Sequence, residues 1–172
     1  RWTDDGMGVS YCVVTDGDAG GFDPAVDRAD IPAIRRAEQT AAAKIVGVTD
    51  VHFLGRPDGR LEPTIALRRD LSRVIRRVRP DRVVCQSPER SYQRIHASHP
   101  DHLAAGEATL CAVYPDARNP FAHMELAAEG LAPHAVAEVW IMGPVPAERI
   151  GEVVDITDTL DRKVAALRCH VS

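Results

Sequence analysis

Residues 9–15, Val9-Ser10-Tyr11-Cys12-Val13-Val14-Thr15, are β-branched and aromatic, and they run straight into Asp16-Gly17-Asp18-Ala19-Gly20-Gly21. A short apolar run closed by turn formers predicts a buried strand followed by a loop. Beyond it, Pro32 opens a segment in which Ile34, Ala37, Ala41 and Ile45 recur at helical spacing until Gly47, so a helix follows the strand. The cycle then repeats. Val51 to Leu54 is a second apolar run, 55–63 is rich in loop formers, and Leu67, Leu71, Val74, Ile75 and Val78 mark a second amphipathic helix that Pro80 ends. Arg82-Val83-Val84-Cys85 predicts a third strand, Pro100 to Tyr114 a third helix, Val139 to Met142 another strand, and Thr159 to His170 a last helix.

Strands alternating with helices of this length imply βαβ units. The expected class is therefore α/β: a Rossmann-like three-layer α/β/α sandwich with a mostly parallel sheet, built as one domain over residues 1–172. Ligands collect at the carboxyl ends of strands in such sheets, which predicts that the loops 16–31, 55–63 and 86–98 share one rim. The stretch from Tyr114 to Pro133 reads as an excursion over that rim, because strand pattern resumes after it.

Composition narrows the function classes. A chain of 172 residues, 45% hydrophobic and 27% charged, is long enough for a real core. Lys and Arg number 21 against 25 Asp and Glu, for a net charge of -4, so no basic footprint suggests nucleic acid and a small molecule is the expected partner. No apolar stretch approaches the roughly 20 residues that span a bilayer. Cys12, Cys85, Cys111 and Cys169 form no C-x-x-C pair, and Cys12 and Cys85 lie inside apolar runs. Buried free thiols in a reducing compartment are expected, hence a cytoplasmic location. The opening Arg1-Trp2-Thr3-Asp4-Asp5-Gly6 reads as a helix end running into a turn, without an initiating Met, and Ser172 ends abruptly; a fragment is expected.

The densest chemical signal is Ser98-His99-Pro100-Asp101-His102, where a polar loop enters the third helix. Two imidazoles three apart share a face, and an Asp between them can hold a ring N–H and fix a tautomer. The bland alternative is local: Ser98 and Asp101 fit a capping box and Pro100 suits a first helical turn. Capping accounts for three of these residues and leaves two histidines unexplained.

His99-Pro100-Asp101-His102-Leu103-Ala104-Ala105-Gly106 resembles the second signature of the LmbE-like (PIG-L) deacetylases. Further pieces match in order: Thr15 to Gly20 resembles the family's Gly-rich loop, Arg35 and Glu38 its helix motif, and Phe53-Leu54-Gly55-Arg56-Pro57-Asp58-Gly59 its FLGYPDG-like loop. Asp155-Ile156-Thr157-Asp158 and the segment from Lys163 to Ser172 are similar to its closing helix. The resemblance implies a zinc-dependent deacetylase or amidase acting on an N-acylated amino sugar or a thiol conjugate of one. It maps a zinc ligand onto His102, an acid or oxyanion-stabilising role onto His99, an orienting role onto Asp101, and substrate contacts onto Arg35 and Asp58. The bland readings are a solvated Arg35–Glu38 pair and simple turn chemistry at Pro57-Asp58-Gly59.

One departure is an absence. The family's AHPDDxE motif, which carries its other two zinc ligands and its general base, has no counterpart here, and relatives with a Tyr two residues before the first His of the later motif have Ala97 at that place in this chain. His52, His123, His134 and His170 are expected to be structural or surface residues, His170 being the one nearest the site. The competing reading is a degenerate, non-catalytic sugar-binding domain of the same fold. A nucleotide-binding domain is disfavoured because no phosphate loop occurs, and homo-oligomerisation is left open.

Overall fold

A computed structural model of the chain describes residues 1–21, 23, 25–143 and 147–172. Residues 22 and 24 of the expected 16–31 loop thus lie outside the described residues. The chain forms two compact units, residues 1–58 with 147–172, and residues 59–146. The class is α/β with parallel strands, as the alternation predicts. The strands pair as two separate ladders, β1 (Ser10–Thr15) with β2 (Asp50–Arg56), and β3 (Arg82–Gln86) with β4 (Glu138–Met142).

In the first unit β1 and β2 run parallel from Ser10 opposite Asp50 to Val13 opposite Phe53, after which Thr15 meets Arg56. Two residues of β1 there face three of β2. The extra one is accommodated at Gly55, whose φ of 66° an L side chain adopts only under strain. Helix α1 (Ile31–Ile45) crosses between them, with Pro in its first turn. It stops where the sequence puts Gly47: the Gly47 N–H donates to Lys44 O at 3.1 Å and the Val48 N–H to Ala43 O at 2.9 Å, a Schellman end. Val48 and Ala43 are both buried there, so the cap is also packed. The Arg36 guanidinium lies 4.3 Å from the centre of the Phe53 ring and ties α1 to β2. A turn at Thr157–Thr159 leads into α5 (Leu160–Leu167), shorter than expected, which packs on α1. Cys12 corrects an expectation. It is exposed while Cys85 is buried, because alternate side chains of a strand face opposite ways and Cys12 falls on the less covered face of β1.

In the second unit α2 (Ile65–Val78) begins at Thr64, whose hydroxyl accepts the Leu67 N–H at 3.2 Å. It buries Leu67, Leu71 and Ile75 along one stripe. Arg76 lies on the same inner side, only 2% exposed. Its guanidinium donates to the carbonyls of Asp116, Ala117, Asn119 and Ala122 at 2.9–3.1 Å. A second clamp holds the same segment: Arg68 makes a bidentate pair with the buried Asp116 at 2.7 and 2.9 Å, and His123 Nε2 meets that carboxylate at 3.1 Å. The expected excursion from Tyr114 to Pro133 is thus fixed from within, and it carries the short α4 (Met124–Ala128).

Helix α3 (Pro100–Cys111) ends before the predicted Tyr114. The next five residues form a wider turn in which Tyr114 is extended (φ -143°, ψ 119°), as a residue preceding Pro prefers. Small residues let α3 close on β3. A Cβ on Gly106 would stand 2.4 Å from Gln86 O and 3.0 Å from Pro88 N, so main chain meets main chain there.

Candidate active site

His99, Asp101 and His102 come together at the mouth of α3, where loop residues after β3 enter the helix. Both rings are exposed, and their centroids lie 5.5 Å apart at an interplanar angle of 51°. The expectation that the two imidazoles share one face is met.

The helix start differs from the capping box. His99 is the N-cap residue, and its Nδ1 accepts the Asp101 N–H at 3.3 Å. Ser98 is buried one residue earlier and accepts the Ser91 N–H at 2.8 Å. With Nδ1 accepting, Nε2 is the ring nitrogen left to donate. Asp101 has partners other than the expected ring N–H. Its buried carboxylate accepts the Gly59 N–H at 2.7 Å on Oδ2 and the Leu61 N–H at 3.1 Å on Oδ1. The reason is positional: in the first turn of α3 its side chain is turned back over the helix start, and two amides of one loop, those of Gly59 and Leu61, meet it there.

In the first unit, Arg35 lies under the Gly-rich loop. A Cβ at Gly17 would stand 3.3 Å from Arg35 Cγ, and one at Gly20 would stand 3.3 Å from its Nη2. The Arg35 Nε is buried and has no hydrogen-bond partner among the described residues, a donor held ready for an acceptor. The glycines are therefore needed for close approach, beyond mere turn formation. Asp58 joins the same loop, its N–H donating to Asp18 Oδ1 at 2.7 Å.

Glu38 is not the solvated partner of Arg35 that a surface pair would need. It is buried, 3.8 Å from Arg35 Nη1, and accepts the Val171 and Ser172 N–H groups and the Ser172 hydroxyl, all at 2.9 Å. Burial pushes its carboxyl up. The hydrogen bonds from Val171 and Ser172, with Arg35, outweigh that and hold it below its ordinary value. His170 stands beside it, Nδ1 at 3.9 Å from Glu38 Oε2. His123 and His134 have structural partners, Asp116 and the Pro80 carbonyl, and His52 pairs with Asp50.

The roles of Gly59, Leu61, Asp116 and Arg76 were not visible in the sequence. A main-chain donor has no side-chain signature, and a buried Arg on a helix with four other arginines between 68 and 77 looks like a solvated face.

A profile described as "PIG-L: GlcNAc-PI de-N-acetylase" matches residues 1–113. The chain belongs to the PIG-L family. It is 34% identical over its whole length to a diacetylchitobiose deacetylase of Thermococcus kodakarensis, of which it covers 61%. Over 99% of the chain it is 31% identical to a probable N-acetyl-alpha-D-glucosaminyl L-malate deacetylase of Bacillus cereus, of which it covers 72%. The N,N'-diacetylchitobiose deacetylase of Pyrococcus horikoshii superposes on 98% of this PIG-L chain with a TM-score of 0.86 and 29% identity, the match covering 61% of that structure. The chain thus spans about three fifths of the diacetylchitobiose deacetylases it matches. No helix among the described residues is long and apolar enough to cross a membrane.

Proposed function

We propose that residues 1–172 form one deacetylase domain that carries the active-site histidines of an N-deacetylase, removing an acetyl group from an N-acylated amino sugar or its conjugate. The observation that carries this is the exposed His99–His102 pair at the start of α3, in a PIG-L chain similar to named deacetylases. Amide hydrolysis adds water to the carbonyl carbon and breaks the C–N bond, giving acetate and a free amine. His99, whose Nε2 is left to donate, suits the hydrogen-bond donor to the oxygen that becomes negative as water adds.

Zn²⁺ is part of the proposal, with His102 as one ligand through neutral imidazole. Among the described residues no three His, Cys, Asp or Glu side chains are grouped to hold a metal ion, so the donors of this chain do not by themselves fit a zinc site. No step is routed through the ion. Arg35 and Asp58 are proposed as substrate contacts, supported by the unpartnered Arg35 Nε and by the joining of Asp58 to the Gly-rich loop. A cytoplasmic location is part of the proposal, supported by the buried thiol of Cys85.

The test is acetate release by the whole protein from N-acetylglucosamine-type amides, before and after chelation and zinc return, with His99→Ala and His102→Ala beside it. Activity lost on chelation, restored by zinc and abolished in both variants is expected. Hydrolysis indifferent to chelator removes the zinc proposal. Sugar binding without hydrolysis would establish the degenerate sugar-binding reading instead.

A further inference from the structure

The Asp101 carboxylate accepts the Gly59 N–H on Oδ2 and the Leu61 N–H on Oδ1, so the amides of the residues before and after Arg60 are both held. Covalent geometry then puts the Arg60 Cα within roughly 6 Å of the carboxylate. Asp101 itself lies between His99 and His102 in the first turn of α3, so Arg60 is rooted beside the histidine pair. Its side chain is exposed, and among the described residues it makes no ion pair. Two acidic residues lie equally near in the chain, the half-buried Asp58 before it and the exposed Glu62 after it.

Arg82, at the start of β3, is tied to Glu138 and stacked on Trp140, whereas Arg60 has its loop held through flanking amides and its head group unspent. A loop gripped through its backbone loses little further freedom when a ligand arrives, and a guanidinium offers five donors in a fork that matches a carboxylate.

Resting on the deacetylase reading above, we propose that Arg60 is a specificity residue that binds a carboxylate on the aglycone of the N-acylated amino sugar, and that Asp101 is the positioning residue that sets it there. The enzyme would then favour an anionic conjugate over a neutral oligosaccharide.

The experiment uses the whole protein, wild type and with Arg60→Ala, Arg60→Lys or Asp101→Asn. It compares kcat/KM for N-acetylglucosaminyl L-malate with that for diacetylchitobiose. Wild type is expected to prefer the malate conjugate, and Arg60→Ala to lower that preference about tenfold, mainly through KM, as loss of one charge-assisted hydrogen-bonded contact would. Arg60→Lys should restore part of it, and the wild-type preference should shrink with added salt. Asp101→Asn keeps one accepting oxygen of two, so its preference should fall along with its rate, an effect that general loss of structure would not confine to one substrate. Equal use of both substrates by wild type, or a preference unchanged in Arg60→Ala, overturns the inference. Failure to hydrolyse either amide would instead sink the deacetylase reading and this inference with it.

Discussion

Gly106→Ala is a perturbation for which helix propensity and tertiary structure predict opposite signs. Propensity favours Ala over Gly inside a helix by about 1 kcal/mol. The structure opposes it. The new Cβ would stand 2.4 Å from Gln86 O, 1.0 Å short of the 3.4 Å at which ordinary contact begins, and the obstacle is main chain of β3, which cannot swing aside as a side chain would. Relief requires α3 and the end of β3 to separate by close to that distance. Overpacking of this kind costs about 3 kcal/mol, the upper part of its usual range, leaving a net loss of roughly 2 kcal/mol. For a chain of this size that lowers Tm by about 4–8 °C. Because the same helix starts with His99, Asp101 and His102, a shift of about 1 Å would also cut turnover of the whole protein by up to a hundredfold. Urea titration and a thermal melt check the first number, and acetate release checks the second. A Gly106→Ala protein as stable as wild type, or more so, would show that α3 does not rest on β3 in the way described.

Arg76→Met should destabilise by several kcal/mol, since four inward carbonyls lose their donor, each such loss costing about 1–3 kcal/mol. Arg76→Lys should recover little because an ammonium cannot span them; a urea midpoint within about 1 kcal/mol of wild type for Arg76→Met would contradict this. For Asp116, burial raises the carboxyl, but the hydrogen bonds from Arg68 and His123 outweigh it and leave it below its ordinary value. A depressed acid contributes its full stability above the unfolded value of about 3.9 and loses it as pH falls through the lower folded value, so Asp116→Asn should be less stable at pH 7 and show a flatter acid limb as pH falls below about 4. Parallel limbs in the two proteins would exclude that coupling. Residues 1–172 prepared alone should retain far less than one zinc per chain after dialysis, because no three donor side chains are grouped among the described residues. Stoichiometric, chelator-resistant zinc would refute it.

The legible parts of this chain were those governed by local chemistry. The run Val9–Thr15 followed by Asp16–Gly21 announces a strand and loop because β-branched side chains and glycine each restrict or free the backbone at their own positions. Gly47 announces the end of α1 for the same reason, and the structure ends it there. The histidine pair was legible because spacing three at a helix start leaves little choice of face. What failed was partner assignment. Ser98 and Asp101 have the spacing of a capping box, yet the cap is His99, since the turn before α3 gives the Ser98 hydroxyl to Ser91 and the Asp101 carboxylate to Gly59 and Leu61.

The sequence by itself determined the α/β class, the order of its elements, and the residues that could do chemistry, because periodicity and residue type act within a few positions of one another. Tertiary structure alone decided that Glu38 holds the main chain at Val171 and Ser172, that Arg76 gathers four carbonyls, and that Asp101 grips the loop around Arg60. Each of those contacts joins a buried charged group to main-chain atoms about 40 or more positions away, and a main-chain N–H or C=O is the same at every residue. No pattern of side chains can say which one will be there.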